Sequence, residues 1–217
     1  MSTSEFGYIP ESPEQSFGNN KGIFTPKDIY DLTRADKYTN YGQLELIETQ
    51  TYSSAVSFVD FTSIDESTYN VHFMTFSQMS GATDNTETIS IRFYESGVLE
   101  TASVYQFARQ SAGLNPSVGF LEGKNTGADK ISTLFGSGTA TGENDSGYAY
   151  FYNLGDSSKY SFATFQCVGL TNESYYQGSF GSAVLPQAST VDGIRIFMNS
   201  GNYNDFKVSL YGIKEYS

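Results

Sequence analysis

From residue 43 to residue 213 apolar and polar side chains alternate with a period of two, and no stretch between those runs has the three-to-four spacing of an amphipathic helix. Successive side chains on a strand point to opposite faces, so the pattern describes half-buried strands. Nine segments carry it: QLELIETQT (43–51), SAVSFVDF (54–61), STYNVHFMTFSQM (67–79), ETISIRFYESG (87–97), SVYQFARQS (103–111), GYAYFYNL (147–154), KYSFATFQCVGL (159–170), DGIRIFMNS (192–200) and NDFKVSLYGIKEYS (204–217). In the fourth, Ile89, Ile91 and Phe93 should face inward, and in the last Phe206, Val208 and Leu210 should fill a core. Strands without intervening helices predict a sandwich or barrel. The 17 Tyr, 17 Phe and 21 Gly suit strands joined by tight turns.

The N-terminal residues differ. Residues 1–22 hold too few apolar groups to fold alone and read as an extended arm, in which Phe6, Tyr8, Ile9 and Phe17, with Ile23 and Phe24 just beyond, are candidate anchoring residues. TPKDIYDLTRADK (25–37) reads as a short helix, with Thr25 as cap, Pro26 at the first helical position and Asp28 completing a capping box. The expected division is therefore an arm and helix over 1–40 and a β-domain over 41–217.

Charge and composition exclude several functions. Twelve basic against 24 acidic residues give a net charge of −12, which phosphate backbones repel, so no nucleic-acid partner is expected. The one cysteine, Cys167, rules out an intrachain disulfide and reads as a buried thiol. The first residues lack the basic and apolar regions of an export signal, and no apolar run is long enough to span a bilayer, so membrane insertion is not expected.

Catalytic and metal-binding signals are weak. His72, the single histidine, lies mid-strand between apolar neighbours and reads as a packed or sheet-surface side chain. A glycosidase needs two flanking carboxylates, and Asp60, Asp65, Glu66, Glu95 and Glu100 are available, but their spacing selects no pair. GENDSG (Glu143, Asn144, Asp145) and GATDNTE (Asp84, Asn85) offer oxygen ligands of the calcium type without EF-hand spacing, and solvated turns explain both. No cofactor or metal is expected. The weakly patterned stretch 111–146 reads as a long loop and candidate binding surface. Tyr175, Tyr176, Phe180 and Tyr203, placed in probable loops, are candidate contacts for a glycan or a partner.

GIFTPKDIYDL, YGQLELIETQT, SAVSFVDFTSI, YNVHFMTFSQM, ISIRFYESG and the terminal FKVSLYGIK, in this order, resemble virion structural proteins of tailed bacteriophages. The resemblance runs from about residue 22 to residue 214, leaves 111–146 unaligned, and has no catalytic motif to carry over. It implies that the extended arm and short helix precede a domain that is a jelly-roll β-sandwich, commonly assembled as a homotrimer. The chain would be a non-enzymatic short tail-fibre or receptor-binding subunit in the virion, bound to other virion proteins and to a host surface polysaccharide. Capsid decoration or a head fibre is the alternative, and a glycan-degrading enzyme a more distant one.

Overall fold

The structure, a computed structural model, describes residues 15–16, 19–20, 25–35, 44–82, 89–113, 119–134, 138–140, 142–171 and 175–215. The chain packs as two units, Met1–Gly42 and Gln43–Ser217. In the first, two short antiparallel strands, β1 (Gln15–Ser16) and β2 (Asn19–Asn20), precede helix α1 (Pro26–Arg34). The expected cap is present. The Thr25 hydroxyl accepts from the Asp28 amide at 3.2 Å, and the Asp28 carboxylate accepts from the Thr25 amide at 2.8 Å. This reciprocal pair satisfies two helix-end donors. The six anchoring candidates, Phe6, Tyr8, Ile9, Phe17, Ile23 and Phe24, lie outside the described residues.

The second unit is an all-β, jelly-roll-like sandwich. Its strands are β3 (Leu44–Tyr52), β4 (Phe58–Phe61), β5 (Val71–Met79), β6 (Ile89–Glu95), β7 (Val98–Leu99), β8 (Tyr105–Gly113), β9 (Phe120–Ala128), β10 (Ile131–Leu134), β11 (Asp145–Tyr152), β12 (Ser161–Leu170), β13 (Tyr176–Leu185), β14 (Val191–Met198) and β15 (Phe206–Ile213). Eight of them pair in a nest: β3 with β15, β4 with β14, β5 with β11 and β6 with β10, all antiparallel. That nesting is the winding of a jelly roll. The pairs alternate between two sheets, β3-β15-β5-β11 and β10-β6-β14-β4, with β7 appended to β6. Two inserted hairpins, β8–β9 and β12–β13, continue the first sheet past β11, giving the order β3-β15-β5-β11-β12-β13-β8-β9.

Inward-facing residues of both sheets meet in one core. Val59, Phe61, Ile89, Ile91, Phe93, Ile194 and Ile196 come from the smaller sheet, and Met74, Phe76, Phe151, Phe165, Val208 and Leu210 from the larger. Phe93 meets Phe151 edge to face across the layers, with ring centroids 5.8 Å apart. As expected, Ile89, Ile91, Phe93, Phe206, Val208 and Leu210 all point into this core. Cys167 is buried too, and loss of solvation pushes its thiol up to about 12.

The terminal strand is internal to its sheet, bonded to β3 on one side and β5 on the other. Its Gly212 is required by close packing, because a Cβ there would lie 2.3 Å from the Tyr69 ring, whose hydroxyl donates to Glu45 at 2.6 Å.

Two stretches expected as loops are strands. Residues 111–146 contain all of β9 and β10, and SYYQGSF enters β13 at Tyr176. In β9, FLEGKNTGA is exposed on almost every residue because it is the last strand of its sheet, so little alternation survives in its composition. Glu143 and Asp145, expected as solvated turn residues, are buried: Asp145 opens β11, and Glu143 accepts from the Ala140 amide at 3.0 Å.

Leu210 sits fully buried at the centre of the core. Leu210→Ala should therefore destabilise the domain by about 2–5 kcal/mol in urea unfolding, while Tyr30→Ala on the exposed face of α1 should leave the β-domain midpoint unchanged.

Candidate functional site

The two sheets present very different outer faces. On the smaller sheet the charges are paired in place. Arg195 donates to both Asp60 carboxylate oxygens at 2.7 and 2.6 Å and to the Tyr94 hydroxyl at 2.8 Å, and its guanidinium lies 3.9 Å from the Phe58 ring centroid. The Asp60 bond raises the Arg195 pKa. Arg92 donates to the Asp129 backbone carbonyl at 2.8 Å, pairs with the Asp129 carboxylate, and covers Phe197.

On the larger sheet, register aligns outward side chains into rows that cross the strands. One row runs Lys124, Ala108, Ser182, Thr164, Tyr150, Phe73, Tyr211 from β9 to β15. The row on one side of it runs Glu122, Gln110, Phe180, Gln166, Tyr148, Thr75, and that on the other runs Gln106, Val184, Phe162, Tyr152, Val71. Among the described strand residues that point to this face, Glu122 is the one acid, and Lys124 and Lys207 are the bases.

Small side chains in the middle row leave a trough. Ala108, Ser182 and Thr164 floor it, Phe180 and Phe162 rise as walls, Lys124 closes one end and Tyr150 the other. The trough has two continuous depressions of about 810 and 760 Å³ that share Ala108, Lys124, Thr164 and Ser182. Four strand spacings of ~4.8 Å make it roughly 19 Å long. Beneath it, Gly123 is required because a Cβ would stand 2.7 Å from Arg109 Nε, and burial lowers the Arg109 pKa.

The rings at its β11 end are held rigidly. The Tyr148 hydroxyl donates to Gln166 Oε1 at 2.8 Å, and the Tyr152 hydroxyl lies 3.3 Å from Thr164 Oγ1. Phe73 is the hub, with ring centroids 4.7 Å from Tyr150, 6.0 Å from Tyr148 and 6.1 Å from Tyr211. Fixed rings with polar edges beside amide, hydroxyl and ammonium groups can hold a ligand that offers both C–H faces and hydroxyls.

Of the four aromatic contact candidates, Phe180 alone belongs to the trough, 56% exposed. Tyr176 is exposed at the start of β13, and Tyr175 precedes it half-buried. Tyr203 is fully buried, bridging Val56 and Gly81, and is no surface contact. The trough residues Tyr150, Thr164, Ser182, Ala108 and Lys124 were not singled out by sequence, although the every-second-residue tyrosines of GYAYFY were a usable signal.

The five carboxylates considered for hydrolysis do not line the trough. Asp60 is tied to Arg195, Asp65 sits in a turn at φ 54°, and Glu95 and Glu100 are both within reach of the Gln187 amide. Burial raises the Glu95 pKa. Among the described residues no cluster of three metal-ligating side chains occurs, and Asp84 and Asn85 lie outside them. No helix among them is long and apolar enough to cross a membrane. No family model, curated protein or solved structure matches the chain.

His72 faces the core, as its neighbours imply. Its Nε2–H donates to the Ile64 carbonyl at 2.7 Å, and burial lowers its pKa against the opposing pull of that bond, Glu66 and Asp65. Stability from the neutral ring is complete above the unfolded pKa of about 6.5 and is lost as pH falls toward the lowered folded value. Denaturant midpoints measured from about pH 8 to pH 5 should therefore drop on acidification, and His72→Gln should flatten that slope.

Proposed function

We propose that the chain is a non-enzymatic structural protein of a tailed-phage virion, a short tail-fibre or receptor-binding subunit that holds a host surface polysaccharide in the trough of its large sheet. The ordered sequence motifs from GIFTPKDIYDL to FKVSLYGIK support the virion part of this reading. The jelly-roll winding of the domain is compatible with it. Residues 1–40 would serve as the anchor to neighbouring virion proteins.

The observation that carries the ligand class is the trough itself: an open groove, walled by Phe180 and Phe162, ended by Tyr150, and floored by Ser182 and Thr164. Rings stack on the apolar faces of sugars while the hydroxyl, amide and ammonium groups match their polar edges. A groove open to solvent along its top takes a segment of a polymer without needing a free chain end. With Glu122 its one acid, the groove also admits the anionic groups common on bacterial surface polymers, and Lys124 is placed to meet them.

The test is binding of the purified full chain to an immobilised panel of bacterial surface polysaccharides. Wild type should bind at least one. Phe180→Ala should weaken that binding about tenfold, the worth of roughly 1.4 kcal/mol, and Ser182→Tyr, which fills the floor from an exposed position, should abolish it. Failure of the wild type to bind any member, or equal binding by Ser182→Tyr, overturns the ligand assignment. Absence of the chain from purified particles overturns the virion assignment.

A further inference from the structure

We infer that the other half of the same sheet, β3, β15, β5 and β11, is the surface through which copies of this chain assemble. The outward side chains of this half divide into a polar end, with Thr49, Thr51 and Lys207 exposed, and an apolar end. Leu44 and Leu46 on β3 are 51% and 59% exposed, and beside them Ile213, Tyr211, Phe73 and Tyr150 continue the patch. Contiguous exposed apolar surface of this kind marks an association site.

Charge identifies the occupant. Gln43–Ser217 contains eighteen acidic and eight basic residues. Two copies therefore repel one another wherever their acids face each other. On this half the one charged outward strand residue is Lys207, so here a second copy can approach without that penalty. A basic partner would gain nothing from a surface stripped of acids. An apolar patch without acids can meet its own copy across a twofold axis, as symmetric association requires.

The size is sufficient. Four strands at ~4.8 Å and eight residues at ~3.3 Å outline roughly 500 Å². Two such footprints reach the total of about 1,000 Å² expected of a specific interface. The trough lies mainly on β9 to β12, so assembly does not depend on polysaccharide binding and the two are measured separately.

Sedimentation of the full chain at micromolar concentration should show a discrete multiple of 23.9 kDa, two copies where one face meets its own copy. The double variant Leu44→Glu, Leu46→Glu should sediment as a monomer with an unchanged circular dichroism spectrum, whereas Val98→Glu, 70% exposed on β7, should remain assembled. A second measurement avoids acidic substitutions. Leu46→Cys should react with maleimide at least about tenfold more slowly in the concentrated sample than after dilution, while Val98→Cys reacts equally in both. A monomeric wild type, an assembled double variant, or a Leu46→Cys thiol that reacts at one rate regardless of concentration overturns the inference.

Discussion

The alternation of β11 is the constraint on which both faces of the large sheet depend. Phe151 points inward to meet Phe93 of the opposite layer, which fixes Tyr148, Tyr150 and Tyr152 on the outside. A slip of one residue would drive the tyrosines into the core and expose Ala149 and Phe151, so burial on one face specifies the arrangement on the other. The same strand joins the nested jelly roll, through β5, to the inserted hairpins, through β12. An error there would displace the trough and the apolar half together.

The difference between the two outer faces follows from how each resolves its charges. The smaller sheet exposes two arginines, but each is consumed locally: Arg195 by Asp60 and the rings of Phe58 and Tyr94, Arg92 by Asp129 and Phe197. Such paired, partly covered charges are at home in water and leave little to offer a partner. The larger sheet carries few charges, Glu122, Lys124 and Lys207, and retains rings, an arrangement that solvated sheet faces seldom adopt, because a polar outer face costs nothing in water.

Much of this was legible in the sequence because strands with one buried face must alternate. The core residues of β6 and β15, the capped helix and the buried Cys167 all follow from that rule and from local capping chemistry. The signal fails where both faces of a strand are alike. In β9 nearly everything is exposed, and β13 carries Gly178 and Gly181 where a strand would be expected to carry side chains. Gly181 is there because a Cβ would lie 2.5 Å from the Ala108 carbonyl and 2.7 Å from the Phe165 ring, a requirement invisible until β8 is placed beside it. Tyr203 misleads in the same way: its turn-like neighbours conceal a ring that stacks edge-on against Phe206 at 5.3 Å. The trough was illegible for a related reason, since its floor joins β8 to the distant β12–β13 hairpin and is defined by the smallness of its residues.

Strand order separates the two proposed roles without separating their support. Ligand and partner occupy opposite ends of one sheet whose eight strands extend over roughly 34 Å at ~4.8 Å spacing. Assembly on β3, β15, β5 and β11 would bury the end that belongs to the jelly-roll winding and leave β8, β9 and β13 outermost. Those outer strands come from the two inserted hairpins, so the residues that choose a ligand can vary without disturbing the nested pairs that hold the core. Phe73 and the three tyrosines of β11 lie where the two regions join, and their ring contacts make the boundary stiff.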